Sequence, residues 1–501
     1  MSEAEGGFVL FCLSLCLCLC LRPRLCSSGP LISEARPDHH VRSVIWILEE
    51  LEERAPTLTL LDTVGLVRSL SRSESLFHHL LLGQSSAPPG SLSLLSDTDR
   101  SFLWRVTEHQ VTPSAELGVS LTDDGTTVSL GHVLAGIQAG LRRNRSSAWA
   151  TGTAGGAPDA VDSLHAVTLT KDLGLALVGH HRNGSQALLG GEGCWDHVEK
   201  PRRFTLSPPW SSATDALING GMGGFILGSY LSGLSPPLPP LSAVLRGYYT
   251  EGLGLRGLKA SRRRQAYGEL VTARGLAAQV SDAVLLYGQL GDQPGLRNLS
   301  RRAVEEIAQR GVPRFLSRYL DCPAVIPRCM WGAKPYRGAA TLLTLPLRYV
   351  YVHHTYHPSR PCATFPQCAA NMRAMQRFHQ EEREWDDIAY SFVAGSNGYL
   401  YEGRGWWWQG SHTKGQNAKG YGVAFIGNYT AALPDDTAIQ LVRDTWTRCA
   451  VAAGNLVSDY AIHGHRQHRN VLCPGERLFL EIKTWEAFRE VERDTVNAEA
   501  L

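Results

Sequence analysis

The chain has 501 residues, with 49 Lys and Arg against 47 Asp and Glu, for a formal net charge of +2. That near-neutrality excludes a protein that holds nucleic acid mainly by charge. A hydrophobic fraction of 43% with 19% charged residues excludes a disordered chain, and the length is enough for two or more domains with their own cores.

Residues 8–21 form an apolar run ended by Arg22-Pro23-Arg24. The run is too short to span a bilayer and suits the apolar stretch of a signal peptide, with small residues at 26–29 for cleavage. Glu3 and Glu5 stand where a basic start is usual, and a short membrane anchor is the alternative reading. Residues 1–28 are thus expected to be a signal peptide and the protein secreted, with no stable membrane span elsewhere. Asn144, Asn183, Asn298 and Asn428 open Asn-x-Ser/Thr triplets and are the glycosylation candidates of a secreted chain. Of 12 cysteines, Cys12, Cys16, Cys18, Cys20 and Cys26 fall in this leader.

Residues 38–54 place Val41, Val44, Ile45, Leu48 and Leu51 at helix-face spacing, and Pro56 ends the run. Residues 234–241 (LSPPLPPL) read as a stiff connector. Arg262, Arg263 and Arg264 read as the solvated face of a helix. Residues 29–320 are expected to be mainly helical with some strands, and their function is open.

The pattern changes near Asp321. Residues 347–352, 388–394, 399–402 and 421–427 read as strands, and residues 366–384, 434–454 and 476–491 as helices. In the first helix Met372, Met375, Phe378 and His379 share one face. The expected fold class is α/β: residues 321–491 form one domain with a central mixed sheet flanked by about three helices, followed by a tail at 492–501.

His353 and His354 end a strand-like run, and His463, His465 and His468 cluster just before Cys473. A catalytic zinc site needs three protein ligands and an open position for water, and two imidazoles with a thiolate supply them. From spacing alone the same residues serve equally as surface histidines and a disulfide cysteine.

The stretches PRCMWGAKPY, YVHHTYHP, CATFPQCAANMRAMQRFHQ, DIAYSFVAGSNGYLYEGRGWWWQGSHT, GVAFIGNYT and GHRQHRNVLCPG resemble, in that order, the peptidoglycan recognition proteins, a family related to the bacteriophage-type zinc amidases. The upstream GEGCWDHVEKPRRFTL and FILGSYLSG are similar to segments of the long, secreted vertebrate member.

The resemblance implies one zinc per chain, held by His353 of the HHT motif, His465 of GHR and Cys473 eight positions later. It implies that Tyr390, in IAYSF, stabilises the oxygen of an attacked amide carbonyl. It implies hydrolysis of the bond between N-acetylmuramic acid and L-alanine in bacterial peptidoglycan and muropeptides, in innate immunity. The alternative it leaves is a receptor that binds peptidoglycan without cutting it.

His354, Thr355, His379, Arg404, Trp407, Trp408 and His412 match positions that line the family's groove. Of the pair Trp407-Trp408, only the second matches the diaminopimelate pattern, which leaves the peptide preference open. Cys362 with Cys368, and Cys322 with Cys449, match two bridges of the family; Cys194 and Cys329 are unassigned. One departure is Val471, where family enzymes carry Thr or Lys; Val has no polar atom to offer a transition state.

Overall fold

The spacing of residues 38–54 folds into the helix Val41–Arg54 in the computed structural model of the chain, which describes residues 40–70, 91–107, 120–149, 215–250, 255, 257–290, 296 and 298–491. The five apolar residues all lie on its buried side. The expected leader, Asn183, Cys194 and the tail lie outside the described residues. Among the described residues no helix is long and apolar enough to cross a membrane.

Before Asp321 the described chain is mainly helical, as expected. Two helices, Leu130–Trp149 and Asp215–Ser232, meet backbone to backbone. A Cβ on Gly224 would stand 2.2 Å from the Val133 carbonyl oxygen, and one on Gly228 2.2 Å from that of Ile137, so no larger residue fits at either position. The only strands there among the described residues are β1 (Ser120–Leu121) and β2 (Thr127–Val128), an antiparallel pair. One apolar core gathers residues from Val41 to Tyr319.

The later part holds a six-stranded sheet. Its strands are β3 (Val325–Ile326), β4 (Leu347–His354), β5 (Phe392–Ala394), β6 (Leu400–Glu402), β7 (Gly420–Phe425) and β8 (Leu456–Gly464), in the order β3-β6-β5-β7-β4-β8. Only β5 and β6 are antiparallel, so the sheet is mixed. Alternation along the strands feeds two cores: Phe392, Val423 and Phe425 point into one, Val393 and Ala424 into the other. The bridges Cys322–Cys449 and Cys362–Cys368 both form.

Several expectations are corrected. Residues 388–391 of the strand expected over 388–394 form a loop instead, because the Ile388 amide is taken by the Asp387 carboxylate and its carbonyl by Arg404. The helix expected over 476–491 stops at Ile482. Beyond it the chain runs beside β8, where the Ile462 amide donates to the Ala487 carbonyl at 2.8 Å. Phe378 is 46% exposed. The helix Phe365–Arg377 widens there into a π turn, Phe378–Glu382, which keeps His379 inward and turns Phe378 out. Strand β8 was not expected at all.

Of the arginine trio only Arg262 is exposed. Arg263 is buried and pairs with Asp124 at 3.1 Å. Arg264 donates to the carbonyls of Tyr319 and Cys322 at 2.9 and 3.2 Å. The same Asp124 carboxylate accepts the Tyr399 hydroxyl from the turn between β5 and β6. At the tip of the β1–β2 turn Gly125 has a positive φ of 79°, and a Cβ there would stand 2.3 Å from the Phe365 ring. The helical part and the sheet part therefore meet at a buried polar joint.

Candidate metal centre and active site

Parallel pairing of β4 with β8 assembles the site. Val352 lies opposite Gly464, so the residues next in line, His353 and His465, emerge side by side at the carboxyl ends of the strands. Their ring centroids are 4.5 Å apart. Past a 3₁₀ turn, His465–Gln467, the chain doubles back, and the Arg466 amide donates to the Cys473 carbonyl at 2.9 Å. That bond returns Cys473 to the pair, its Sγ 3.6 Å from Nδ1 of His353. The donor atoms of His353, His465 and Cys473 all lie within 4.8 Å of one another. The competing histidines pair elsewhere: Nε2 of His468 meets Nδ1 of His463 at 3.0 Å.

This donor set fits a zinc ion. It offers two imidazoles and a thiol sulfur from three residues, which leaves one tetrahedral position free. The remaining nitrogen of His353, Nε2, lies 3.3 Å from Oγ1 of the buried Thr413, an outer partner of the kind that fixes a ligand's ring. Burial, then the neighbouring His465, holds the His353 pKa well below its ordinary value. Burial, then Arg469, lowers that of His465 to about 4. Both rings are thus neutral near pH 7, the form that ligates metals. Burial pushes the Cys473 thiol up to about 12, so the sulfur keeps its proton near pH 7 unless a cation bound beside it displaces that proton to solvent.

Tyr390 lies beside this cluster, its ring 5.4 Å from that of His353. Its hydroxyl has no hydrogen-bond partner among the described residues, and burial raises its pKa, so it remains a proton donor. Its loop is firmly held. Asp387 is paired with Arg328 at 2.7 Å, both fully buried, and accepts from Gln376 and from the Ile388 amide at 2.7 Å. Burial raises the Asp387 pKa despite Arg328. Arg404 donates through Nε to the Ile388 carbonyl at 2.8 Å and through Nη1 to that of Gln409 at 2.9 Å.

The groove candidates separate into two kinds. His354, His379, Arg404 and His412 are buried. Nδ1 of His354 accepts from the Tyr429 amide at 3.1 Å, and Nδ1 of His379 from the Ala389 amide at 3.3 Å. Both rings have pKa values lowered to about 4, by burial first, then by Arg466 at His354 and Arg404 at His379. The Thr355 hydroxyl closes a turn, donating to the Pro358 carbonyl at 3.0 Å. Trp407 is exposed at 48%, and Trp408 is half-buried. Among the sequons, Asn298 is exposed, Asn428 binds its own Thr430 hydroxyl at 2.8 Å, and Asn144 lies in the helix Leu130–Trp149.

Three contributors escaped the sequence reading. Thr413 sits in the quoted SHT and so was within view. Trp385, 38% exposed, stacks on His379 at 5.1 Å; it is the aromatic residue nearest in sequence before Tyr390. The Arg328–Asp387 pair bridges positions too distant in sequence to signal themselves.

Residues 343–476 match the family described as N-acetylmuramoyl-L-alanine amidase. The N-acetylmuramoyl-L-alanine amidase of Mus musculus is 40% identical over 522 residues, covering 94% of this chain and 96% of that protein. That of Homo sapiens is 40% identical over 519 residues, covering 89% and 90%. Peptidoglycan-recognition protein SA of Drosophila melanogaster is 40% identical over 165 residues, covering 33% of this chain and 79% of that protein. Similarity of this extent, over nearly the whole of the mouse protein, places the chain in the peptidoglycan recognition protein family, among its N-acetylmuramoyl-L-alanine amidases.

Proposed function

We propose that the protein is a secreted zinc amidase that cleaves the bond between N-acetylmuramic acid and L-alanine in bacterial peptidoglycan and muropeptides, and that it serves innate immunity. The observation that carries this reading is the convergence of His353, His465 and Cys473 within 4.8 Å beside the free Tyr390 hydroxyl. When bound, zinc supplies Lewis acidity and brings the pKa of a water down towards neutrality. Every other task falls to the chain. His353 and His465 stay neutral and present nitrogen lone pairs, and Cys473 presents its sulfur. Tyr390 donates its O–H to the carbonyl oxygen as negative charge develops there. Asp387 and Arg404 hold the Tyr390 loop, and exposed Trp407 offers an aromatic face to a sugar or peptide. Secretion rests on the leader, and residues 321–491 are the domain that does this chemistry.

A second reading, a receptor that binds without cutting, is favoured by Val471. It is 40% exposed two residues before Cys473 and offers no hydrogen bond. Zinc content and stem-peptide release from muropeptides separate the two. About one zinc per chain and release of free stem peptide support the amidase. Full zinc with no cleavage of either diaminopimelate-type or Lys-type muropeptides supports the receptor.

A further inference from the structure

Thr413 stands between two buried imidazoles and is within hydrogen-bond reach of both. Its Oγ1 lies 3.3 Å from Nε2 of His353 and 3.1 Å from Nδ1 of His412. The hydroxyl and ring are held in place by their own backbone: Oδ1 of Asn417 accepts from the Thr413 amide at 2.8 Å and from the His412 amide at 3.0 Å. The His412 ring is pressed against glycine. A Cβ on Gly422 would stand 2.2 Å from its Cγ, and one on Gly410 2.4 Å from its Cδ2. The ring has no room to turn.

A neutral imidazole carries one N–H and one acceptor nitrogen, and a hydroxyl has one hydrogen to give. Two senses are open to such a row of bonds. A metal selects one of them. Nδ1 of His353 is the nitrogen facing the Cys473 sulfur, so a metal among the three donors takes the Nδ1 lone pair. The His353 proton then sits on Nε2 and is donated to Thr413 Oγ1. The Thr413 hydrogen goes to Nδ1 of His412. His412 therefore keeps its proton on Nε2, a buried atom. Each ring remains neutral throughout; only the position of its proton is set.

We propose that Thr413 is a positioning residue that couples metal binding at His353 to the tautomer of His412. The inference rests on the metal reading above. The test uses full-length protein with ¹⁵N-labelled histidine, followed by NMR with and without one equivalent of zinc, and zinc affinity by competition with a chelator. In the wild type and in Thr413→Ser, zinc should fix His412 with its proton on Nε2. In Thr413→Val, which keeps the shape and removes the hydroxyl, zinc should bind about 10- to 100-fold more weakly, and the His412 tautomer should no longer respond to it. A Thr413→Val protein with wild-type affinity and wild-type His412 response overturns the proposal. So does a zinc-loaded wild type with the His412 proton on Nδ1. Wild type that takes up no zinc at all instead overturns the metal reading, and the coupling falls with it.

Discussion

Tyr390 and Arg404 divide the work around one loop. Tyr390 has the unshared hydroxyl, and its proposed task is to donate to a developing oxyanion. Tyr390→Phe removes that donor and little else. It should lower kcat about 10²–10³-fold while KM and zinc content hold, measured by steady-state kinetics and metal analysis. Arg404 matches a groove position, yet its guanidinium is buried among the carbonyls of Ile388 and Gln409. The flat fork reaches both carbonyls at once, and an ammonium does not. Arg404→Lys should therefore cost about 1–3 kcal/mol of stability in urea unfolding and lower kcat, by loosening the Tyr390 loop. If Arg404 instead bound a substrate carboxylate, the variant would raise KM only for substrates that carry one, and stability would hold.

At the scale of elements, the register of β4 on β8 makes the site and the turn between β1 and β2 makes the joint. The joint is a prediction about stability. Asp124 is buried; burial alone would raise its pKa, but the Arg263 guanidinium and its hydroxyl partners hold it below the usual carboxylate range. Asp124→Asn leaves Arg263 buried without its counter-charge. The change should cost about 3 kcal/mol by chemical denaturation. A loss below 1 kcal/mol would mean that water reaches the pair.

The same elements mark what the sequence does and does not disclose. The helix Val41–Arg54 was legible because five apolar residues repeat at its period and a proline ends it. Strand β4 was legible from its alternation and its β-branched and aromatic residues. Strand β8 was hidden, because Ser458, Asp459 and Tyr460 interrupt its apolar residues at the sheet edge. The metal donors were named from family motifs; their convergence depends on β8, which nothing local announces. Arg263 read as a surface charge because its partner, Asp124, lies 139 residues away.

Across the whole molecule, burial of neutral histidines ties stability to pH. His354, His379 and His465 are depressed to about 4, His412 to about 3, and His353 well below its ordinary value. Unfolded, these rings titrate near 6.5. Between those values the unfolded chain binds more protons than the folded one, so stability rises with pH there and is fully present above about 6.5. Metal-free protein should show a falling denaturant midpoint as pH drops from 7 to 5. A flat midpoint would mean that the rings are solvated. The joint at Asp124 links the helical part to the sheet part, so such losses should be felt by both.

The central claim is that His353, His465 and Cys473 hold the zinc that makes this chain an amidase. The most direct test compares wild type with Cys473→Ala for zinc content, muropeptide binding and stem-peptide release. The claim predicts about one zinc and free stem peptide from the wild type. The variant should lose zinc and release none, yet still bind muropeptides. A Cys473→Ala protein that cleaves at the wild-type rate, or active protein in which Cys473 is disulfide-bonded, would contradict it.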